Sequence, residues 1–246
     1  MQTSSLPLNY SRADLLSRLE GVSFGDEVFG SLFGRLNLGH FVFLHGAPSC
    51  LALSERLCVR AQLALAEGGL ESKAIFIDGG NTFDPCLIAE YAEQLSLDSD
   101  KVLENILVSR AFTCHQLTSL IANNLKPWID RLNIKLAVIS NILEPYSDPD
   151  IATKQSSIFF KVALNSLVNT IREKKIVAIG TSLDYNYIHK NSFFKQIAYH
   201  SNIIAKLEDH GDLIVILEKH LANPPAILLN KCKRCIPVTR AATLLS

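Results

Sequence analysis

A mostly parallel α/β sheet flanked by helices is the fold this sequence predicts. Three observations carry that expectation. Short apolar runs at His40–Leu44, Ala74–Ile77, Ile106–Val108, Ile134–Ser140 and Ile176–Gly180 alternate with longer helix-patterned stretches. The runs are continuously apolar rather than alternating, as strands covered on both faces are. Two of them open into short glycine-bearing loops, His45-Gly46-Ala47 and Asp78-Gly79-Gly80, that lead into helices.

The chain has 246 residues, enough for one large domain with a substantial core. Its 24 basic and 24 acidic side chains balance, so no global field draws it to nucleic acid, and a contact of that kind needs a local patch. No apolar run approaches the roughly 20 residues of a membrane span, and no membrane association is expected. The first 20 residues lack a basic start followed by an apolar block, so an intracellular protein is expected, in cytoplasm, nucleoid or nucleus. Its 6 cysteines then read as reduced thiols. We divide the chain into a tail with a short helix (1–20), a core domain (21–230) and a basic tail (231–246). Neither internal repeat nor linker is visible.

In order, Ser11 caps a short helix over Arg12–Leu19, and Gly21–Gly39 holds a loop and a short helix. His40–Leu44 is the first central strand. The loop after it runs from His45 to Ser54, with a helix to about Glu67. Ala74–Ile77 is a strand whose loop turns into a helix capped by Asp84 with Pro85 at its first position. Ile106–Val108 is the next strand. A helix from near His115 to Asn133 precedes the strand Ile134–Ser140. Asn141–Gln155 is a loop rich in Pro, Asp and Ser, Ser157–Arg172 a helix, and Ile176–Gly180 a strand. Leu183–Ser201 reads as a loop with interleaved aromatic and basic residues. Ile203–Glu208 and Asp212–Glu218 form a β-hairpin about His210-Gly211, and Ala226–Leu229 is a last strand.

The densest stretch is Ala74–Gln116. Its Ile77-Asp78-Gly79-Gly80-Asn81-Thr82-Phe83, its Pro two places after that Phe, its Val102-Leu103-Glu104-Asn105-Ile106 and its Arg110-Ala111-Phe112…His115-Gln116 resemble the RecA/RadA-type recombinases, most closely the archaeal RadA and eukaryotic strand-exchange branch and its paralogs. The strand–helix alternation extends the resemblance from Gly21 to near Pro225. It implies a RecA-like P-loop NTPase core with a C-terminal β-hairpin, in a core-only member without the family's separate N-terminal domain.

The resemblance also places an ATPase site and finds it degenerate. Gly46 matches the first glycine of the G-x-x-x-x-G-K-[ST] loop, within which Ser49 lies. Leu51 then stands for the second glycine, Ala52 for the lysine and Leu53 for the Ser/Thr. A one-residue gap brings Ser54 to the hydroxyl position, but no gap restores the lysine. Gly80 stands where the family keeps its catalytic glutamate, and Ser140 where a strand ends in the magnesium-associated aspartate. Ser182 is a poor match for the γ-phosphate sensor. No catalytic residue, metal site or cofactor is expected, and ATP and magnesium binding is weak at best. A helix N-terminus can still attract an anion without the lysine.

Leu183–Ser201 falls at the family's second DNA-binding loop, and Tyr185, Tyr187, Lys190, Phe193 and Lys195 are its candidate DNA contacts. The alternative is a surface excursion whose aromatics pack on the core or on a partner. Cys232-Lys233-Arg234-Cys235 is a lone C-x-x-C with no second pair of ligands. The expected function is that of a non-hydrolysing RadA-like paralog. It serves as an accessory or scaffold in homologous recombination and DNA repair, bound to a recombinase or another paralog and to single-stranded DNA. Two alternatives stay open: a slow or partner-completed DNA-dependent ATPase, and a signalling ATPase of the wider superfamily.

Overall fold

The central strands owe their position to side chains that are apolar on both faces. In the computed structural model, which describes residues 20–183, 192–221 and 226–230 (the side chains of 28 and 227–230 excepted), an eight-stranded sheet runs through the molecule. Its strands are β3 (Phe41–Gly46), β4 (Ala74–Asp78), β5 (Ile106–Arg110), β6 (Leu136–Ser140), β7 (Val177–Leu183), β8 (Ile203–Asp209), β9 (Leu213–Lys219) and β10 (Ala226–Asn230). The order across the sheet is β10-β9-β8-β3-β7-β6-β4-β5. Strands β5, β4, β6, β7, β3 and β8 are mutually parallel, and β9 and β10 add an antiparallel edge. A small antiparallel pair, β1 (Gly21–Val22) and β2 (Leu36–Asn37), stands apart from it.

Residues alternate between two cores with period two, as pleating requires. Val42, Leu44, Phe76, Val138 and Ile179 face one core, and Phe41, Phe43, Ile75, Ile139 and Ala178 face the other. The first core is covered by α1 (Glu27–Phe33), α2 (Ser49–Arg60), α3 (Pro85–Gln94) and α4 (Ser99–Glu104). The second is covered by α5 (Cys114–Ser119), α6 (Leu125–Leu132), α7 (Thr153–Lys174) and α8 (Ser192–His200). This is the mostly parallel, helix-flanked architecture of a RecA-like core.

Caps fix several of these helices. Asp84 accepts from the Cys86 and Leu87 amides at the start of α3, with Pro85 at its first position. Asp98 and Thr113 do the same for α4 and α5. The expected single helix over His115–Asn133 is interrupted instead by a π-turn at Leu120–Asn124. Pro127 has no N–H for the carbonyl four residues back, which unsettles the regular ladder just ahead of it.

Three expectations need correction. The helix after β3 begins at Ser49 rather than after Ser54, and it ends at Arg60 instead of near Glu67. The chain then makes a short 3-10 turn, Leu65–Glu67, with Gly68 at φ +83° leading it back toward β4. Within Leu183–Ser201, residues 192–200 are helical, because Phe193, Phe194 and Ile197 fall on one helix face and enter the second core. The expected helix Arg12–Leu19 and the basic tail 231–246 lie outside the described residues.

Arg60, the last residue of α2, is buried and ties α2 to the segment that precedes α1. Its Nε donates to the Ser23 carbonyl, and its Nη2 donates to Ser23 Oγ at 3.2 Å and to the Glu67 carbonyl at 2.8 Å. Gly25 is needed above it, since a Cβ there would collide with the guanidinium. Arg60→Ala leaves these acceptors unpaired in a buried site. The expected destabilisation is about 3 kcal/mol, read as a lower urea midpoint at unchanged slope.

Candidate functional site

The parallel strands β3, β4, β6 and β7 deliver their carboxyl ends to one side of the sheet, where open α/β folds place their ligand sites. Gly46, Asp78, Ser140 and Ser182 therefore come together from distant parts of the sequence. Each is held in a way that closes the site.

At the end of β3 only Ala47 and Pro48 separate strand from helix. Gly46 has φ +109°, and a Cβ there would lie 2.2 Å from the Leu207 carbonyl oxygen, so β8 presses directly on the loop. The amides of Ala47, Cys50, Leu51 and Ala52 are committed. Ala47 donates to the Leu207 carbonyl, Cys50 to that of Ala47, and Leu51 and Ala52 to that of Pro48. Pro48 has no amide. Leu53 is fully buried in the first core, and Ala52 is buried above it. The Ser54 hydroxyl turns back onto its own helix and donates to the Leu51 carbonyl at 2.7 Å. Ser49 Oγ is buried at the helix start without a hydrogen-bond partner. His45, just before the loop, is fully buried. Its Nε2 lies 3.0 Å from Glu218 Oε2, joining β3 to β9 across β8.

At the end of β4 the loop winds around the fully buried Asp78. Its carboxylate accepts from the Thr82 amide at 2.9 and 3.0 Å, the Phe83 amide at 3.1 Å, the Gly80 amide at 3.3 Å and Ser140 Oγ at 2.9 Å. The Thr82 hydroxyl is 3.2 Å away, and Arg110 Nε approaches to 3.8 Å. Burial alone would raise the Asp78 pKa, but the Thr82 and Phe83 amides and the Ser140 hydroxyl outweigh it and hold the carboxyl below its ordinary range. Asp78 therefore stabilises the fold above the ordinary Asp pKa, and this contribution is lost as pH falls through its depressed value.

Gly80, expected from the resemblance to stand where the family keeps its glutamate, leaves no room for a side chain. A Cβ there would sit 2.3 Å from Asn141 Nδ2, and the Asn141 side chain is held by the Leu183 amide through Oδ1. Ser140, expected from the resemblance at the aspartate position, spends its hydroxyl on Asp78. Ser182 lends only its carbonyl to this end of the sheet, where Cys50 Sγ donates to it at 3.9 Å.

Sequence reasoning missed Glu55 of α2. It is 2% exposed, and its Oε1 accepts from the Asp84 amide at 2.8 Å, fastening α2 to the cap of α3. Burial is the main cause that pushes its pKa up to about 8, aided by the charges of Asp84 and Asp78. A lone glutamate two residues after Leu53 carries no sequence signal of burial. Its neighbours in space come from β4 and the following loop.

Residues 43–153 match the Rad51 family model. A DNA repair protein RAD51 homolog of Solanum lycopersicum is 33% identical over 117 residues, which are 46% of this chain and 33% of that protein. The meiotic recombination protein DMC1/LIM15 homolog of Homo sapiens is 38% identical over 92 residues, 37% of this chain and 27% of that protein. Over residues 43–153 the chain is similar to the RecA/RadA-type recombinase family. The match spans about a third of the length of these curated relatives. It contains the short loop after β3, the Asp78 loop and Ser140.

The candidate DNA contacts fare differently. Tyr185, Tyr187 and Lys190 lie outside the described residues. Phe193 is withdrawn as a stacking residue: it is 6% exposed and packs on Phe160, with ring centroids 4.6 Å apart, and near Tyr146. Lys195 is exposed on α8. Among the described residues no cluster of three or more His, Cys, Asp or Glu could hold a metal, and no helix is long and apolar enough to cross a membrane.

Two outcomes test this geometry. Glu55 has a raised folded pKa, so the folded state holds the extra proton between about pH 4.5 and about 8, and stability falls as pH rises through that window. Glu55→Gln keeps the acceptor for the Asp84 amide and removes the titration. Melting curves should lose this slope, and the variant should be more stable than the parent at about pH 9, on the order of a few kcal/mol. Separately, Gly80→Glu should yield no ATP hydrolysis and should lower the urea midpoint by an equivalent of about 1–3 kcal/mol, because Asn141 must be displaced.

Proposed function

We propose that this chain is a non-hydrolysing RadA-like paralog. It works in homologous recombination and DNA repair by binding a recombinase or another paralog inside the cell, as a stoichiometric accessory or scaffold. The relatives that share its core are named for DNA repair and meiotic recombination. The observation that carries the non-hydrolysing part is the start of α2 at Ser49. A helix that begins so early consumes the amides a phosphate needs, and Ala52 and Leu53 offer neither the cation nor the hydroxyl that hold a phosphate and its magnesium.

Were ATP and magnesium bound here, the Ser49 hydroxyl and amide would be the nearest groups left to hold them. That set lacks a positive charge and does not fit a triphosphate. A scaffold needs complementary surface rather than turnover. RecA-type cores that assemble side by side cover each other's nucleotide face, and a closed face can still serve as such a surface.

Calorimetry with magnesium-ATP, paired with capture of a purified RadA-type recombinase, tests the proposal. We expect no binding heat at about millimolar ATP, no turnover with or without the recombinase, and retention of the recombinase. Turnover that appears only with the recombinase would replace the reading by a partner-completed ATPase. Failure to retain either a recombinase or a paralog would remove the scaffold role.

A further inference from the structure

The two helix layers carry opposite charge, although the chain is neutral overall. Helices α5 to α8, with Lys175 directly after α7, hold eight basic side chains and two acidic ones. The two acids, Asp130 and Glu173, are engaged by Lys174 and Lys126 at 2.5 Å each. The other six bases are Arg131, Lys154, Lys161, Arg172, Lys175 and Lys195. All six are exposed, and none has a carboxylate within ion-pair distance among the described residues. On the opposite side, leaving out the buried Glu55, helices α1 to α4 carry Glu27, Glu90, Glu93, Asp100 and Glu104 against Arg56, Arg60 and Lys101. Segregation of this kind leaves one face positive where the net charge reports none.

Exposed rings share the positive layer. Tyr199 of α8 is 81% exposed, one turn beyond Lys195 on the same helix face. Phe112 is 70% exposed ahead of α5, and Ile158 and Val162 are exposed one turn apart on α7. Near Tyr199 the field is positive: burial, then the charges of Arg172 and Lys219, push the His200 pKa down. Cations without counter-ions, spread among exposed rings, are what a flexible polyanion with stacking faces requires. Single-stranded nucleic acid is such a ligand, since its phosphates meet the cations and its bases the rings.

We propose that the outer face of α7 and α8, centred on Lys161, Arg172, Lys195 and Tyr199, is a binding surface for single-stranded nucleic acid. This deepens the recombination reading, which suggests nucleic acid as the polyanion, while the charge layer itself does not depend on it. The face lies on helices α7 and α8, whose four named side chains are all exposed.

Fluorescence anisotropy of the full chain with a labelled oligothymidine of about 30 nucleotides, at about 50 and about 200 mM salt, tests the proposal. The triple variant Lys161→Glu/Arg172→Glu/Lys195→Glu should raise Kd at least about tenfold and make the log–log salt slope shallower by about 2. Tyr199→Ala should raise Kd about fivefold or more with the slope unchanged. All four positions are exposed, so melting curves should match the parent's. An unchanged Kd and slope in the triple variant overturns the surface, and so does loss of binding confined to Tyr185→Ala/Lys190→Ala. Equal competition by polyglutamate assigns the face to an acidic protein and overturns the proposal as well. If the parent binds no oligothymidine at about 50 mM salt, the surface falls, while recombinase capture still decides the scaffold role on its own.

Discussion

The carboxylate of Asp78 is the point on which the ligand end of this molecule turns. It is fully buried, which would be costly for an isolated charge, and it is kept ionised by amides from Gly80, Thr82 and Phe83 and by the Ser140 hydroxyl. Those donors come from the loop after β4 and from the end of β6, so one charge sets the path of the loop and joins two strands. The loop in turn presents the Asp84 amide to Glu55 and the Asp84 carboxylate to the first turn of α3. Strand β4, loop, α2 and α3 thus form a single hydrogen-bonded unit. Within it, the groups that would meet a nucleotide in an active enzyme are used to hold the protein together.

The second closed element has a different cause. Helix α2 starts immediately after Pro48, with its amides turned to its own first carbonyls. Pro48 adopts helical φ and ψ of −54° and −22°, so it extends the helix toward the strand instead of ending it. Leu53 follows one turn later and is drawn fully into the first core. A bulky apolar side chain at that place stabilises the helix by burial, on the order of 2 kcal/mol, where a hydroxyl facing a metal would not. Closure is therefore favoured by the same hydrophobic term that builds the core.

The strands were legible because each is buried on both faces and reads as an unbroken apolar run; β3, β4, β6 and β7 fall within two or three residues of their expected places. The Asp84–Pro85 start of α3 was legible because its cap is local in sequence. What could not be read depends on contacts between distant residues. Glu55 looks like an ordinary helix-surface glutamate until β4 and α3 close over it. Helix α8 was hidden by reading Leu183–Ser201 as one loop, although Phe193, Phe194 and Ile197 already had the spacing of a buried helix face. The early start of α2 is hidden when the stretch is matched to the eight-residue G-x-x-x-x-G-K-[ST] loop. The lack of any glycine between Gly46 and Gly68 was the available clue that helix could fill it.

The closed ligand end has a consequence for the electrostatics of the whole domain. An active phosphate loop places a lysine and a magnesium ion at the carboxyl end of the sheet, where they offset nearby carboxylates. Here that end keeps Asp78, Asp84 and Glu144 with Arg110 as the nearby cation, while the buried Glu55, its pKa pushed up to about 8, holds its proton near neutral pH; Glu144 has its pKa raised by burial and by the charge of Asp78. A polyanion approaching the ligand end would meet uncompensated negative charge. The positive potential lies instead over α7 and α8, on the far side of the sheet from the acidic helices α3 and α4. Two faces of opposite sign suit two different partners, because a face that attracts one repels the other. Such a chain can act by position alone, with its acidic and basic faces deciding what lies on either side of it.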